Sequence, residues 1–96
     1  MMDEDKKAIL INKQDNVATV LSQVKKNERM SITYGREVVD SIISLNDIDI
    51  YHKIAVKSIN TLENVYKYGE VIGRAVQPIE KGQHVHVANI KGVAGK

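Results

Sequence analysis

Short apolar runs separated by polar and glycine-containing turns dominate this chain, and this pattern predicts strands. Residues 8–11 form a four-residue apolar run, and residues 30–34 alternate apolar with polar side chains. Further short strands are predicted at 37–39, 41–44, 52–59, 65–69, 71–76 and 84–87. The segments 59–65 and 79–85 resemble each other, each reading as an apolar residue, a polar turn and a strand. We interpret them as two similar turn-to-strand corners, and we interpret residues 89–96 as a tail.

One segment carries a helical pattern instead. Val17, Val20, Leu21 and Val24 follow the i, i+3, i+4, i+7 spacing of a single buried stripe. Either of two preceding residues can cap such a helix, Asp15 or Asn16. Lys25 and Lys26 fall in the last turn and Asn27 suits the left-handed residue that ends it. The pattern therefore predicts a mainly β domain with one short N-terminal helix.

Composition narrows the class of protein. The chain has 96 residues, so it forms at most one domain, and it has no cysteine, which excludes thiolate metal sites and thiol nucleophiles. The net charge of +2 is too small to indicate a nucleic-acid partner. No apolar run approaches the length of a membrane span, and the charged N-terminus is unlike a secretory signal. We expect a soluble cytoplasmic protein with a flexible N-terminus (1–7), one domain (8–92) and a flexible tail (93–96).

Histidine and lysine residues carry the candidate chemistry. His84 and His86 are two residues apart, so in a strand their side chains share a face and can approach one metal ion or anion. From the spacing alone, two solvent-facing histidines on a hairpin are the more frequent explanation. His52 precedes Lys53 at the start of a strand, where the pair can hold a carboxylate and move a proton.

Four ordered motifs resemble the N-terminal domain of altronate and galactarate dehydratases, a SAF-type β-clip domain. The same domain occurs as the small subunit of related two-subunit lyases, including sulfolactate sulfo-lyase. The resemblance covers about residues 8–92 and rests on the segments 15–18, 52–56, 65–73 and 81–89. Three positions depart from the family pattern: Tyr51 and the turn 60–63 lack the usual glycine, and Ala88 replaces a frequent histidine. The missing glycines predict altered turn geometry, and the missing histidine argues against a three-histidine metal site made by this domain alone.

The resemblance implies a function and a set of site residues. Family members dehydrate sugar acids with a divalent metal, Fe²⁺ or Mn²⁺, held mostly by a large catalytic subunit. It implies that His84 and His86 face this shared site as metal ligands or as acid and base. Contacts to the substrate are expected from the following residues: His52, Lys53, Lys67, Tyr68 and Asn89.

The expected function is thus an accessory subunit or N-terminal domain of a sugar-acid hydro-lyase, inactive alone. Its expected partners are a large dehydratase-like subunit and a sugar acid, with self-association as a further possibility and with no nucleic acid or membrane. One alternative is the small subunit of a sulfolactate sulfo-lyase-like enzyme. Another is a non-catalytic β-clip module that binds a small carbohydrate or anion, and an unspecialised structural domain also remains open.

Overall fold

A computed structural model describes residues 5–92, and within this range the chain forms nine strands and no helix. The strands are β1 (Lys6–Ile9), β2 (Val17–Val20), β3 (Arg29–Tyr34), β4 (Glu37–Ile43), β5 (Lys53–Ala55), β6 (Asn64–Lys67), β7 (Glu70–Ala75), β8 (His84–Val85) and β9 (Ile90–Gly92). A six-stranded sheet has the order β4-β3-β1-β2-β5-β8, and a three-stranded sheet has the order β6-β7-β9. This all-β, two-sheet architecture is consistent with a β-clip.

The predicted N-terminal helix is wrong. The segment forms β2, which pairs with β1 on one side and β5 on the other, and Val24 then makes an isolated bridge to Ile48. Three valines and a threonine are β-branched and favour the extended pairing, which satisfies the backbone polar groups that a helix would have satisfied internally. The apolar spacing arose because β2 is buried on both faces: Val17 packs in one core and Ala18 in the other.

Four five-residue corners organise the chain: 24–28, 48–52, 59–63 and 79–83. They associate in two pairs, through antiparallel bridges between Val24 and Ile48 and between Ile59 and Ile79. The resemblance between 59–65 and 79–85 therefore reflects two corners of the same construction, as the sequence predicted. Each pair of corners surrounds its own core, one containing Val24 and Ile48 and the other containing Ile59 and Ile79.

The fourth residue of every corner has a left-handed backbone. The φ angles are 76° at Asn27, 68° at Tyr51, 72° at Leu62 and 96° at Gly82. In each pair, the amide of this residue donates to a carbonyl just before the partner corner: Tyr51 N to Val20 O and Asn27 N to Ser44 O, each within 2.8 Å. Tyr51 and Leu62 adopt the left-handed conformation that Gly82 has at the matching position, so these corners share one backbone conformation.

The fifth residue closes three of the four corners with its side chain. Glu28, Glu63 and Gln83 each accept a hydrogen bond at Oε1 from the amide of the second residue of the corner, at 2.7, 2.6 and 3.0 Å. The fourth corner ends in His52 instead, whose ring contacts other histidines. Corner 48–52 therefore differs from the other three at the position where its side chain can take part in a site.

Strands lie at both ends of the described range. β1 begins at Lys6, within the segment 1–7, and β9 lies within the segment 89–96 that was interpreted as a tail. The predicted flexible ends fall partly on residues 1–4 and 93–96, which lie outside the described residues. β9 approaches β7 so closely that a Cβ on Gly73 would lie 2.6 Å from the carbonyl oxygen of Lys91, so this position requires glycine.

Candidate functional site

Two short strands from distant parts of the chain bring the three histidines together. β5 and β8 pair antiparallel with Lys53 opposite Val85 and Ile54 opposite His84. This register carries His52, just before β5, alongside His86, just after β8. Because alternate residues of a strand share a face, His84 and His86 project on the side where His52 arrives. The sequence pattern supplied the pair, and the fold supplies the third ring.

The three imidazoles form a compact stack. His52 Nδ1 lies 3.0 Å from His84 Nε2, and the ring centroids of His52 and His86 are 4.5 Å apart. One ligand nitrogen from each ring lies within 4.8 Å of the others. Two nitrogens bound tetrahedrally to a divalent ion lie about 3.4 Å apart, so modest ring rotations reach a three-histidine site. We call these three residues the histidine cluster.

Electrostatics keeps a bare nitrogen available in this cluster. Burial, followed by the nearby positive charge that His52 and His86 can carry, lowers the pKa of His84 below its ordinary value, while Asp49 opposes the shift. This shift favours the neutral form of His84, and only a neutral imidazole can bind a metal or accept a proton. Asp49 is a member of this environment that sequence reasoning did not identify.

A buried asparagine fixes the backbone of His84 and His86. Asn89 is 5% exposed; its Oδ1 accepts from His86 N at 2.9 Å and its Nδ2 donates to His84 O at 2.7 Å. A second asparagine, Asn46, accepts from His84 N through Oδ1 at 2.8 Å. The side-chain amide of Asn89 bonds to the histidine backbone and also lines the cavity beside His84, and its predicted contact with substrate stays a prediction. Asn46 was not singled out from the sequence, because no local pattern marks a contact across 38 residues.

Lys53, Lys67 and Tyr68 lie in the same electrostatic neighbourhood. Burial first, and then the charge of Lys67, lowers the pKa of Lys53, and the charge of Lys53 in turn lowers the pKa of His84. Lys67 Nζ lies 4.8 Å from the centroid of the Tyr68 ring, which is half exposed. The turn at Tyr68 and Gly69 is held by buried Asp15, which accepts both of their amides. Lys53 thus connects the Lys67–Tyr68 turn to the histidine cluster.

A cavity of about 470 Å³ adjoins His84. Its walls include Asn46, Asp47, Gln83, Ala88 and Asn89. Ala88 places a small methyl group on the cavity wall. Three histidines converge beside it, because His52 joins His84 and His86. Whether this domain alone makes a three-histidine metal site stays a prediction.

The fold and site together define an all-β domain that presents a histidine cluster beside basic side chains. The chain matches the family described as the altronate/galactarate dehydratase SAF domain over residues 6–93, and it belongs to that family. It is 44% identical over 86 residues to altronate dehydratase of Bacillus subtilis and 32% identical over 83 residues to altronate dehydratase of Escherichia coli.

The matched altronate dehydratases are several times longer than this chain. The alignment with the Bacillus subtilis enzyme covers 90% of this chain but 16% of that protein. A second kind of relative is the (2R)-sulfolactate sulfo-lyase subunit alpha of Chromohalobacter salexigens, which is 50% identical over 44 residues, covering 46% of this chain and 47% of that subunit. No helix capable of spanning a membrane is present among the residues that the structure describes.

Proposed function

We propose that this chain contributes one wall of the metal-dependent active site of a lyase that dehydrates a hydroxy acid. The observation that carries the proposal is the histidine cluster, in a member of the altronate/galactarate dehydratase SAF family. The chain corresponds to 16% of a matched altronate dehydratase, so the remaining catalytic groups come from a large dehydratase-like chain or domain. On its own, the domain is expected to be inactive.

Three imidazoles suit Fe²⁺, and a mixed set completed by oxygen ligands also accommodates the harder ion Mn²⁺. Three imidazole nitrogens are available and the chain has no thiolate, so His52, His84 and His86 would hold the ion together with oxygen ligands from the large chain. Such an ion acts as a Lewis acid toward the substrate's oxygens. His52 had been expected to bind substrate, and its position among the three rings supports a role as a ligand.

The remaining residues of the site suit an acidic substrate. Dehydration removes a proton from the carbon next to a carboxylate and expels a hydroxyl as water, which builds negative charge on the carboxylate oxygens. Lys53 and Lys67 offer fixed positive charge to that carboxylate, and Tyr68 offers an exposed phenol to a hydroxyl. A ring of the cluster that does not bind metal can act as acid or base near neutral pH, since imidazole titrates in that range.

Exposed apolar side chains beside the cluster support coverage by another chain. Tyr51 directly precedes His52 and is 67% exposed, while Val87 directly follows His86 and is 79% exposed. Large apolar side chains at such exposure, flanking a polar site, are typical of protein interfaces. Pairing with a large catalytic subunit would bury them and would enclose the histidine cluster.

The corners provide a matched test of metal binding. His52→Gln removes a ring and introduces the side chain with which Gln83 closes its own corner. Glu63→Gln introduces the same side chain at the same position of a corner that gives no ring to the cluster. We expect His52→Gln to weaken Mn²⁺ binding by more than about tenfold, measured by calorimetry, while Glu63→Gln leaves it unchanged. If the chain binds Mn²⁺ equally well with and without His52, the proposed metal set is wrong.

Catalysis is tested in the complex. The chain is co-expressed with a large dehydratase-like subunit, and turnover of sugar acids and metal content are measured for wild type, His86→Ala and the Glu63→Gln control. We expect His86→Ala to reduce turnover by at least about a hundredfold, as loss of a metal ligand or of a general acid–base group does. Unchanged turnover and metal content would eliminate the catalytic role, and sugar-acid binding by the chain alone without activity in the complex would identify a non-catalytic module.

A second candidate function is the small subunit of a sulfo-lyase, favoured by the match to two (2R)-sulfolactate sulfo-lyase alpha subunits. The same cluster and lysines would serve, because a sulfonate and a carboxylate are both oxyanions. Assaying the same complex with sulfolactate and with sugar acids separates the two candidates. Release of sulfite without dehydration of sugar acids would establish the second.

A further inference from the structure

The pair of corners 59–63 and 79–83 is related by an approximate twofold repeat, which gives the histidine strand a counterpart. β8 pairs with β5 so that His84 lies opposite Ile54. His84 comes five residues after the bridging Ile79, and Ile54 comes five residues before the bridging Ile59. β6 pairs with β7 in the same way, with Asn64 opposite Arg74. By this correspondence Asn64 and Tyr66 occupy the positions of His84 and His86.

The same asparagine clamp is built at both places. Asn16 Oδ1 accepts from Tyr66 N at 2.8 Å, and its Nδ2 donates to Asn64 O at 2.9 Å. These are the two bonds that Asn89 makes to His86 N and His84 O. Because Asn16 comes from the other end of the sequence, the duplication of the clamp is a feature of the fold and not of a local motif. The strand β6 is therefore fixed in space as firmly as the strand that carries the two histidines.

A cavity of about 700 Å³ opens over this second clamp. Two cations line it, Lys57 and Arg74. The rest of the wall consists of neutral polar residues, one leucine and one carboxylate: Gln14, Asn16, Ser58, Asn64, Tyr66, Leu62 and Glu63. The single carboxylate, Glu63, already accepts a hydrogen bond from Asn60 N at 2.6 Å. In place of imidazoles, the cavity thus offers a guanidinium, an ammonium, amides and hydroxyls.

We propose that this cavity binds a small hydroxylated organic anion, at a site separate from the histidine cluster. The Arg74 guanidinium matches a carboxylate with two parallel hydrogen bonds, and Lys57 adds a second positive charge. Amides and hydroxyls such as those of Asn64 and Tyr66 exchange hydrogen bonds with hydroxyl groups. The phenol of Tyr66 accepts from Asn64 Nδ2 at 3.4 Å, which leaves its own proton for a ligand oxygen. The clamped backbone lowers the cost of ordering the site.

A chemical-shift titration of the full ¹⁵N-labelled chain tests this site. The probes are D-gluconate, the neutral polyol sorbitol and acetate. We expect saturable shifts at the Asn64 and Tyr66 amides with D-gluconate, weaker binding of acetate and no saturable shift with sorbitol, while the His84 and His86 amides stay in place. This pattern requires both the negative charge and the hydroxyl groups, as the lining predicts.

Arg74→Gln provides the decisive variant, and Arg36→Gln at the exposed turn between β3 and β4 provides a control with the same loss of charge. We expect Arg74→Gln to weaken D-gluconate binding at least about tenfold and Arg36→Gln to leave it unchanged. Equal weakening by both variants, equal binding of sorbitol, shifts centred on His84 and His86, or no saturable shift would each overturn the proposal. Because none of these readouts depends on metal or turnover, they stand apart from the test of the proposed function.

Discussion

The corners at 48–52 and 59–63 have the same backbone conformation, but their last side chains make different contacts. Both have a non-glycine residue in the left-handed conformation, Tyr51 and Leu62, and both bridge to a partner corner. Glu63 closes its own corner, whereas the ring of His52 lies 3.0 Å from His84. The fifth residue of a corner therefore either closes the corner with a hydrogen bond or contributes its side chain to the candidate site.

This difference shows how the fold acquires a site at low cost. The corner backbone is already held by bonds from its partner, such as Tyr51 N to Val20 O and Val20 N to His52 O, at 2.8 and 2.9 Å. A closing side chain adds about 1 kcal/mol to such a turn, so its replacement is tolerable in one corner of four. A ring placed there inherits the rigidity of the corner.

The largest expected effect concerns the fourth position of a corner. A Cβ on Gly82 would lie 2.5 Å from Ile43 O, and its φ of 96° is unfavourable for any other residue. We expect Gly82→Ala to lower the free energy of unfolding by more than about 2 kcal/mol, measured by urea denaturation. Gly35 is the matched control, because it has a φ of 61° but nothing within 4 Å of an added Cβ. If Gly35→Ala costs as much as Gly82→Ala, close packing at this corner is not the cause.

An intermediate effect is expected at the fifth position. Glu63→Ala removes the acceptor for Asn60 N and should cost about 1 kcal/mol of unfolding free energy. His52→Gln supplies a possible acceptor to a corner that lacks one and should leave stability unchanged or raise it. Both values come from the same urea titration of the metal-free chain. A large loss of unfolding free energy in His52→Gln would show that the ring stabilises the corner. It would contradict the distinction between side chains that close a corner and side chains that form the site.

The smallest expected effect is a gain. Tyr51→Gly and Leu62→Gly remove exposed side chains from a left-handed backbone, and this removes conformational strain from the folded state. The greater entropy of glycine in the unfolded chain offsets part of this gain. We expect each to raise the free energy of unfolding by about 0.5 kcal/mol, seen as a higher melting temperature. The two variants should agree, since the corners share a backbone. A gain at Leu62 and a loss at Tyr51 would show that the Tyr51 ring is needed next to the cluster.

Local patterns predicted most of the strands and the shared face of two histidines, and they failed where distant pairing decides the structure. Alternation found β3, and the spacing of His84 and His86 correctly placed two rings on one face. The helix prediction failed because Val17 and Val20 lie on a central strand that is buried on both faces, while Val24 lies in a buried bridge. The spacing of these three valines mimics the single buried stripe of a helix. The third ring could not be found locally, since His52 and His84 are 32 residues apart.

The role of a polar side chain was the least predictable feature. Asn89 belongs to a motif next to the histidines, which suggested contact with substrate. Its burial and its two backbone bonds depend on a turn that returns the chain over β8. The same holds for Asn16, which the sequence offered as a helix cap and which instead clamps β6. Both side-chain amides satisfy backbone groups of a neighbouring strand.

The strand β5 has a consequence for folding. Ile54 fills one core and Ala55, the next residue, fills the other. Val17 and Ala18 divide between the cores in the same way on the neighbouring strand β2. Neither core can therefore be completed without strands that also supply the other core. The two halves should form and melt together as one cooperative unit, and this domain has no smaller autonomous fragment.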